Sequence, residues 1–156
     1  MAAPGLPIRE QILANIVTTL AAVTAGDTYA SDLSADGQVT RGHISPLEHF
    51  HFPCVSLLPI DDPTEHRPQV WLQTLTVTLR MWIDAVPATA PTALELLLAD
   101  VTTIMKVDDR RGGLAQATLL RTTQYLYDAV TERIAGADQT WEIEYRTGLG
   151  HPRAFP

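Results

Sequence analysis

Residues 70–83, Val-Trp-Leu-Gln-Thr-Leu-Thr-Val-Thr-Leu-Arg-Met-Trp-Ile, alternate between polar and apolar side chains from Thr74 onward. In an extended strand the apolar members share one face: Leu75, Val77, Leu79, Met81 and Ile83. The polar members share the other: Thr74, Thr76, Thr78 and Arg80. A period of two is typical of a strand in a sheet that is buried on one side. The segment therefore predicts the main strand of a sheet with one polar face.

The length of this strand predicts its shape and its contacts. Fourteen residues span about 46 Å at roughly 3.3 Å each. A compact domain of 156 residues has a diameter of only about 40 Å. The strand must therefore curve, bulge or project, and a projecting strand favours contact with a neighbouring molecule. We expect such contacts at the sheet edges and at the loops that flank the strand.

One amphipathic helix is predicted before this strand in the sequence, and a second one after it. The first follows Pro7, carries apolar residues at helical spacing from Ile8 to Val23, and ends at Ala25-Gly26-Asp27. The second opens at Thr92, with Glu95 three residues later as a capping box. Its predicted buried stripe is Leu94, Leu97, Leu98, Val101, Ile104 and Met105.

The remaining segments add shorter strands and turns. Strands are predicted at residues 38–44, 54–58, 114–127 and 141–146, with a loop or hairpin tip at 59–68 and a turn at 108–113. Two helices are too few to cover both faces of a sheet. We therefore predict an α+β fold: a mostly antiparallel sheet of four to five strands with two helices packed on one face. No linker divides the chain, so residues 1–156 are predicted to form a single domain.

Composition bounds the possible functions. The net charge is −7, and ten arginines stand beside a single lysine, Lys106. Such an acidic protein is a poor candidate for wrapping nucleic acid, because the affinity of a protein for nucleic acid comes mainly from cationic side chains that contact phosphate. No apolar run approaches the ~20 residues that a membrane span requires. We therefore expect protein partners and no membrane.

A histidine cluster is the one group with metal-ligand chemistry. His43, Glu48, His49 and His51 fall within nine residues, and His49 and His51 would share one side of a strand. No metalloenzyme spacing such as H-E-x-x-H is present. One interpretation is a polar loop whose histidines are solvated or lie at a protein interface; the alternative is a small metal-dependent hydrolase that uses His43, His49 and His51.

Other reactive residues have structural explanations that we favour over catalysis. Cys54, the only cysteine, stands in an apolar strand and is predicted to be a buried, unreactive thiol. The pairs Asp61-Asp62 and Asp108-Asp109 stand beside turn residues, where aspartate commonly caps its own backbone. We therefore predict no enzymatic activity and no cofactor.

A resemblance to a known family covers most of the chain in its order of elements. Leu94-x-x-Leu97-Leu98-x-x-Val101 leads into Asp108-Asp109-Arg110-Arg111-Gly112-Gly113, and after a β segment come residues 141–147, Trp-Glu-Ile-Glu-Tyr-Arg-Thr, with His151-Pro152 beyond. The pattern resembles phage tail terminator proteins, also called tail completion or U-type minor tail proteins. The amphipathic first helix and the strand Phe-Pro-Cys-Val-Ser-Leu-Leu-Pro (52–59) fit the same layout.

The resemblance implies a structural virion protein, made in the host cytoplasm and placed at the head-proximal end of the tail. Members of that family form a hexameric ring that caps the tail tube and offers a docking surface to the head-side connector or stopper protein. Genomic DNA passes through the lumen, and an acidic wall would repel phosphate rather than bind it. The family has no catalytic residues to transfer. A neck or connector component is the alternative within structural proteins.

Candidate interface residues follow from these arguments. They are Thr74, Thr76, Thr78 and Arg80 on the strand, Asp61, Asp62, Glu65, His66 and Arg67 in the proline-bounded segment, Arg110 and Arg111 on the turn, and His49 and His51. A proline-stiffened segment loses less entropy on docking than a flexible one. Arg110 and Arg111 have two interpretations: a solvated turn that partly neutralises Asp108 and Asp109, or a guanidinium that reaches the next subunit.

Overall fold

The computed structural model describes residues 5–42, 51–61, 64–67, 70–131 and 133–148, apart from the side chains of 61, 64–67, 70 and 127–131. Within these ranges, two helices and six strands follow one another. They are α1 (Ile8–Ala21), β1 (Val39–Arg41), β2 (Cys54–Asp61), β3 (Thr64–Arg67), β4 (Val70–Asp84), α2 (Ala90–Val107), β5 (Ala117–Thr131) and β6 (Ile134–Gly148). None of the described helices is long and apolar enough to cross a membrane.

The strands form one sheet in the order β1-β2-β4-β6-β5. β3 pairs with β4 beyond the end of β2, so it continues the path of β2 along the same edge of β4. Among the described strand pairs, β1–β2 is parallel and the others are antiparallel. The sheet thus has five strand positions, and the predicted α+β fold is confirmed.

The β4–β6 pair is the longest regular feature of the sheet. Its ladder runs without a break from Val70 opposite Gly148 to Asp84 opposite Ile134. Fifteen residues per strand correspond to about 50 Å. The strands outside this pair are less regular: β2 shifts register between Pro59 and Asp61, and β5 between Leu120 and Thr122. The predicted alternation of β4 is confirmed, because all five apolar members are buried.

Both helices pack on the buried face of the sheet, as predicted. The predicted stripe of α2 is buried throughout, and α1 buries Ile8, Ile12, Leu13, Ile16 and Leu20. These side chains join one core cluster with Trp141, Ile143 and Tyr145 of β6. The three β6 residues occupy alternate positions of that strand and so share its buried face.

The start of α2 corrects the predicted capping box. The helix begins at Ala90, two residues before Thr92, and no side chain caps its first turn. Pro91 occupies the first turn, where its fixed φ and missing N–H cost nothing. Thr92 is therefore inside the helix, and the Glu95 carboxylate instead accepts a hydrogen bond from the Tyr125 hydroxyl.

The segment between Pro59 and Pro68 is a second correction, because much of the predicted loop is strand. β2 continues to Asp61, and β3 follows from Thr64 to Arg67. Val55 N–H donates to the carbonyl of Gln38 on the β1 side, so alternate residues of β2, including Pro59, direct their backbone groups away from β4. Pro59 therefore removes no hydrogen bond from the β2–β4 ladder.

Buried polar side chains fix the segment between α1 and β1. The Gln38 amide donates to the carbonyls of Asp32 and Pro53 at 2.9 and 3.0 Å, and its oxygen accepts from Ala35 N–H at 2.7 Å. Asp100 of α2 is buried and accepts from Ser31 N–H at 2.7 Å. Each group satisfies backbone atoms that a loop otherwise leaves to water.

Candidate interaction surface

The face of the sheet opposite the helices is the main candidate for contact with another protein. No described helix lies over it, and we call it the helix-free face. The register of the strands assigns to it Ser56 and Leu58 of β2, the four predicted polar residues of β4, Asp138, Thr140, Glu142 and Glu144 of β6, and Thr122 and Gln124 of β5. The same register places Leu72 and Trp82 of β4, Cys54 of β2 and Leu119 of β5 on this face, so the surface spans four strands and has apolar side chains among a majority of polar ones.

Arg80 is paired within this face. Its Nε and Nη2 donate to the two carboxylate oxygens of Asp138 at 2.9 and 2.7 Å, across the β4–β6 pair. The side chains are 28% and 15% exposed. The hydrogen bond to Asp138 raises the pKa of Arg80 above its ordinary value. Such a two-pronged pair is stronger and more directional than a single ion contact.

The threonines of β4 differ in exposure. Thr78 is buried, at 5% exposed, and its hydroxyl lies 3.4 Å from that of Thr140 on β6. Thr74 and Thr76 are half-buried. Nearer the β1 edge, the hydroxyls of Thr40 and Ser56 lie 3.1 Å apart. The predicted polar strand face therefore exists, and its hydroxyls are partly hydrogen-bonded to one another.

A second ion pair neutralises the β5 side of the helix-free face. Arg121 stands where β5 shifts register, and its guanidinium contacts the Glu142 carboxylate of β6 at 2.6 Å. The two side chains are 50% and 30% exposed. The Glu142 carboxylate is thus neutralised within the chain.

The Arg110-Arg111 turn places its two arginines in different surroundings. Arg110 is exposed and lies 4.0 Å from the Asp109 carboxylate, a weak pair that fits a solvated turn. Arg111 is fully buried, donates to the carbonyl of Met105 and to the Thr118 hydroxyl, and has a positive φ of 50°. Arg111 is therefore a core residue, and the prediction that it is an interface residue is wrong.

The two aspartates of this turn are structural. Asp108 accepts hydrogen bonds from Gly112 N–H at 2.8 and 3.0 Å and from the Asn15 amide of α1 at 3.2 Å. Burial lowers the pKa of Arg111, and the charges of Asp108 and Asp109 oppose that effect. The predicted capping role of aspartate beside turn residues holds for Asp108.

Several predicted residues lie outside the described part of the chain. These are His43, Glu48, His49 and Asp62, together with the side chains of Asp61, Glu65, His66 and Arg67. His51 is described and exposed. Within the described ranges no three histidine, cysteine or acidic side chains form a group that could hold a metal ion.

Cys54 is buried, and burial raises the pKa of its thiol from 9.0 to about 12. Because the thiolate is the reactive form, only roughly one molecule in ten thousand carries it at pH 8. We expect a thiol-specific disulfide reagent at pH 8 to leave the folded protein almost unlabelled and to react with one equivalent after denaturation. Rapid labelling of the folded chain would contradict this assignment.

Two cavities open on the described surface. The larger, about 690 Å³, lies between the start of α2 and the β5–β6 pair, and Leu94, Glu95 and Tyr125 are among its lining residues. The smaller, about 310 Å³, is lined in part by Ser31, Asp32 and Phe52. Neither cavity brings together the residues that we predicted as candidate interface residues.

A scan against protein-family models returned no match, and a search of curated proteins returned none either.

Proposed function

We propose that this protein is a structural subunit of a phage tail, which assembles into a ring that ends the tail tube and receives the head-side connector. The observation that carries the proposal is the helix-free face of a sheet with three fifteen-residue strands. Strands of about 50 Å exceed the diameter of about 40 Å expected for a compact globule of this size. A polar sheet surface of that extent suits lateral contact between subunits.

The chemistry of the helix-free face supports contact with protein rather than with a small substrate. Four of its charged side chains are paired, Arg80 with Asp138 and Arg121 with Glu142. Covering a paired charge costs less than burying an isolated one, because the partner replaces part of the lost hydration. Half-buried threonines add hydroxyls that can donate to or accept from a neighbour.

The net charge of −7 supports the same role. A ring through which DNA moves must hold its position on other proteins while it binds DNA weakly. An acidic protein repels phosphate and so gives DNA little to adhere to. We propose homo-oligomeric contacts, a tail tube partner on one side and a connector or stopper partner on the other.

The test is the mass of the purified protein in solution, alone and mixed with the tail tube protein. We expect six copies of the 17.1 kDa chain, and capture of this ring by assembled tubes. A monomeric protein that does not bind to tubes would overturn the proposal. Binding to the connector without binding to tubes would favour a neck component instead. Stoichiometric zinc in the purified protein would favour the hydrolase.

A pair of matched variants tests the surface itself. Thr74→Arg adds a bulky charge to the helix-free face, while Thr103→Arg adds the same charge to an exposed position on α2. We expect Thr74→Arg to shift the hexamer toward smaller species and Thr103→Arg to leave its mass unchanged. Both variants should melt close to the parent chain, which separates loss of assembly from loss of fold. Equal masses for the two variants would argue against the helix-free face.

A further inference from the structure

The larger cavity, of about 690 Å³, lies between the start of α2 and the β5–β6 pair. Apolar residues provide most of its described lining, among them Leu94, Leu126 and Ile134. Leu94 is buried, whereas Leu126 and Ile134 are half-buried. Sites for small organic molecules commonly have volumes of about 300–1,000 Å³ and mainly apolar walls with few polar groups. The cavity therefore has the size and the character of such a site.

Glu95 and Tyr125 are the two polar side chains among the described lining residues. The Tyr125 hydroxyl donates a hydrogen bond to the Glu95 carboxylate, which fixes the carboxylate at the end of the tyrosine ring. None of the ion pairs between described residues involves Glu95. The cavity thus combines an apolar wall with one negative charge that no described cation neutralises.

The main chain around the cavity offers few hydrogen bonds to a peptide. Pro87 and Pro91 have no N–H, and the N–H of Ala90 already donates to the Val86 carbonyl. Gly136 is paired on both sides within the sheet. An extended peptide binds to a sheet chiefly through main-chain groups. A small molecule with one polar group has no such requirement, so the lining favours a small molecule as the occupant.

We propose that this cavity binds a small organic cation, in which an aromatic or aliphatic body carries one ammonium group. The body packs against Leu94, Leu126 and Ile134, and its removal from water favours binding. The ammonium group pairs with the Glu95 carboxylate, and the face of the Tyr125 ring attracts the same charge. The inference goes beyond the proposed ring and does not depend on it.

Three probes that share one apolar body test the preference for a cation. They are phenethylamine, which is a cation at neutral pH, phenethyl alcohol, which is neutral, and hydrocinnamate, which is an anion. The methyl NMR signals of leucine and isoleucine measure each affinity in the full chain, whether it is a monomer or a ring. We expect changes at Leu94, Leu126 and Ile134, with the amine bound most tightly and the acid least. Absence of binding at these residues, or equal affinities for amine and acid, would overturn the proposal.

Removal of the single charge tests the role of Glu95. Glu95→Gln should lower the affinity for phenethylamine about three- to fivefold and leave that for phenethyl alcohol unchanged, a modest effect because Glu95 is exposed and water screens its charge. Asp36→Asn is the control, because it removes an exposed carboxylate in the segment before β1. We expect no change in any affinity for this control. A parent-like affinity of Glu95→Gln for the amine would contradict the proposed pairing.

A matched pair of larger side chains tests the position of the ligand. Ala90→Trp fills part of the cavity from the first turn of α2, whereas Ala14→Trp places the same side chain at an exposed position on α1. We expect Ala90→Trp to lower the affinity for phenethylamine about tenfold or more, and Ala14→Trp to leave it unchanged. Thermal unfolding checks that both variants fold, and Glu95→Gln decides the question alone if Ala90→Trp does not. Parent-like binding to a folded Ala90→Trp would place the ligand elsewhere and overturn the proposal.

Discussion

Arg111→Ala is expected to lower the free energy of unfolding by about 2–5 kcal/mol, because it opens a cavity and leaves buried hydrogen-bond partners without their donor. The substitution deletes the donors to the Met105 carbonyl and the Thr118 hydroxyl in a fully buried place. It also removes the positive charge that Asp108 and Asp109 stabilise. The measurement is a denaturant titration followed by tryptophan fluorescence.

Arg110→Ala is the matched control because it removes the same side chain one residue earlier. Arg110 is exposed and only weakly paired with Asp109. We expect a change within about 0.5 kcal/mol for this variant. Similar losses for the two variants would show that the turn as a whole, rather than the buried guanidinium, is responsible.

Gly136→Ala is expected to destabilise the protein by about 1–3 kcal/mol through overpacking. A Cβ atom at Gly136 would stand 2.4 and 2.5 Å from two carbons of the Trp82 indole and 2.9 Å from the Met81 carbonyl oxygen. The indole is buried, at 4% exposed, and the carbonyl belongs to the β4–β6 ladder, so neither moves away easily. Thermal unfolding of the two proteins measures the effect.

A double-mutant cycle identifies the cause of that loss. Trp82→Leu creates space beside Gly136, so Gly136→Ala should cost less in that background than in the parent chain. Gly26→Ala is the control, because no atom lies within 4 Å of the added carbon and the residue has no positive φ. Equal costs of Gly136→Ala in both backgrounds would exclude the steric explanation.

The elements with strong periodicity were predicted well from the sequence. β4 was expected to end at Ile83 and ends at Asp84, and its apolar face is the one that the helices cover. The stripe of α2 was also predicted in full. In both cases burial on one side forces a period that the residues display directly.

The β5–β6 pair was underestimated because its residues lack that period. β6 begins at Ile134, seven residues before the predicted start at Trp141. The intervening residues include Ala135, Gly136 and Ala137, which have low strand propensity. Tertiary packing explains them: Gly136 makes room for Trp82, and Ala137 is fully buried beneath the helices. Such requirements arise between distant segments and leave no local pattern.

The residues of the candidate surface also differ in how far the sequence predicts their role. The polar face of β4 followed from alternation, but the pairing of Arg80 with Asp138 depends on a strand that lies 58 residues away. Arg111 could not be distinguished from Arg110, because adjacent arginines on a turn have the same composition whether they are buried or exposed. A fully buried arginine is rare, so its expected place is the surface. Gln38 and Asp100 likewise gave no local indication of their buried hydrogen bonds.

The unbroken β4–β6 ladder also sets the order in which the core can be completed. β4 gains its second neighbour only after α2 and β5 have been made, because Asp84 pairs with Ile134 and Val70 with Gly148. Contacts between residues so far apart form slowly, since a long loop must close first. On the ribosome, one edge of β4 therefore remains unpaired until the fiftieth residue after Asp84 has been synthesised. During that interval the unpaired strand edge of the unfinished chain is a site at which it can aggregate.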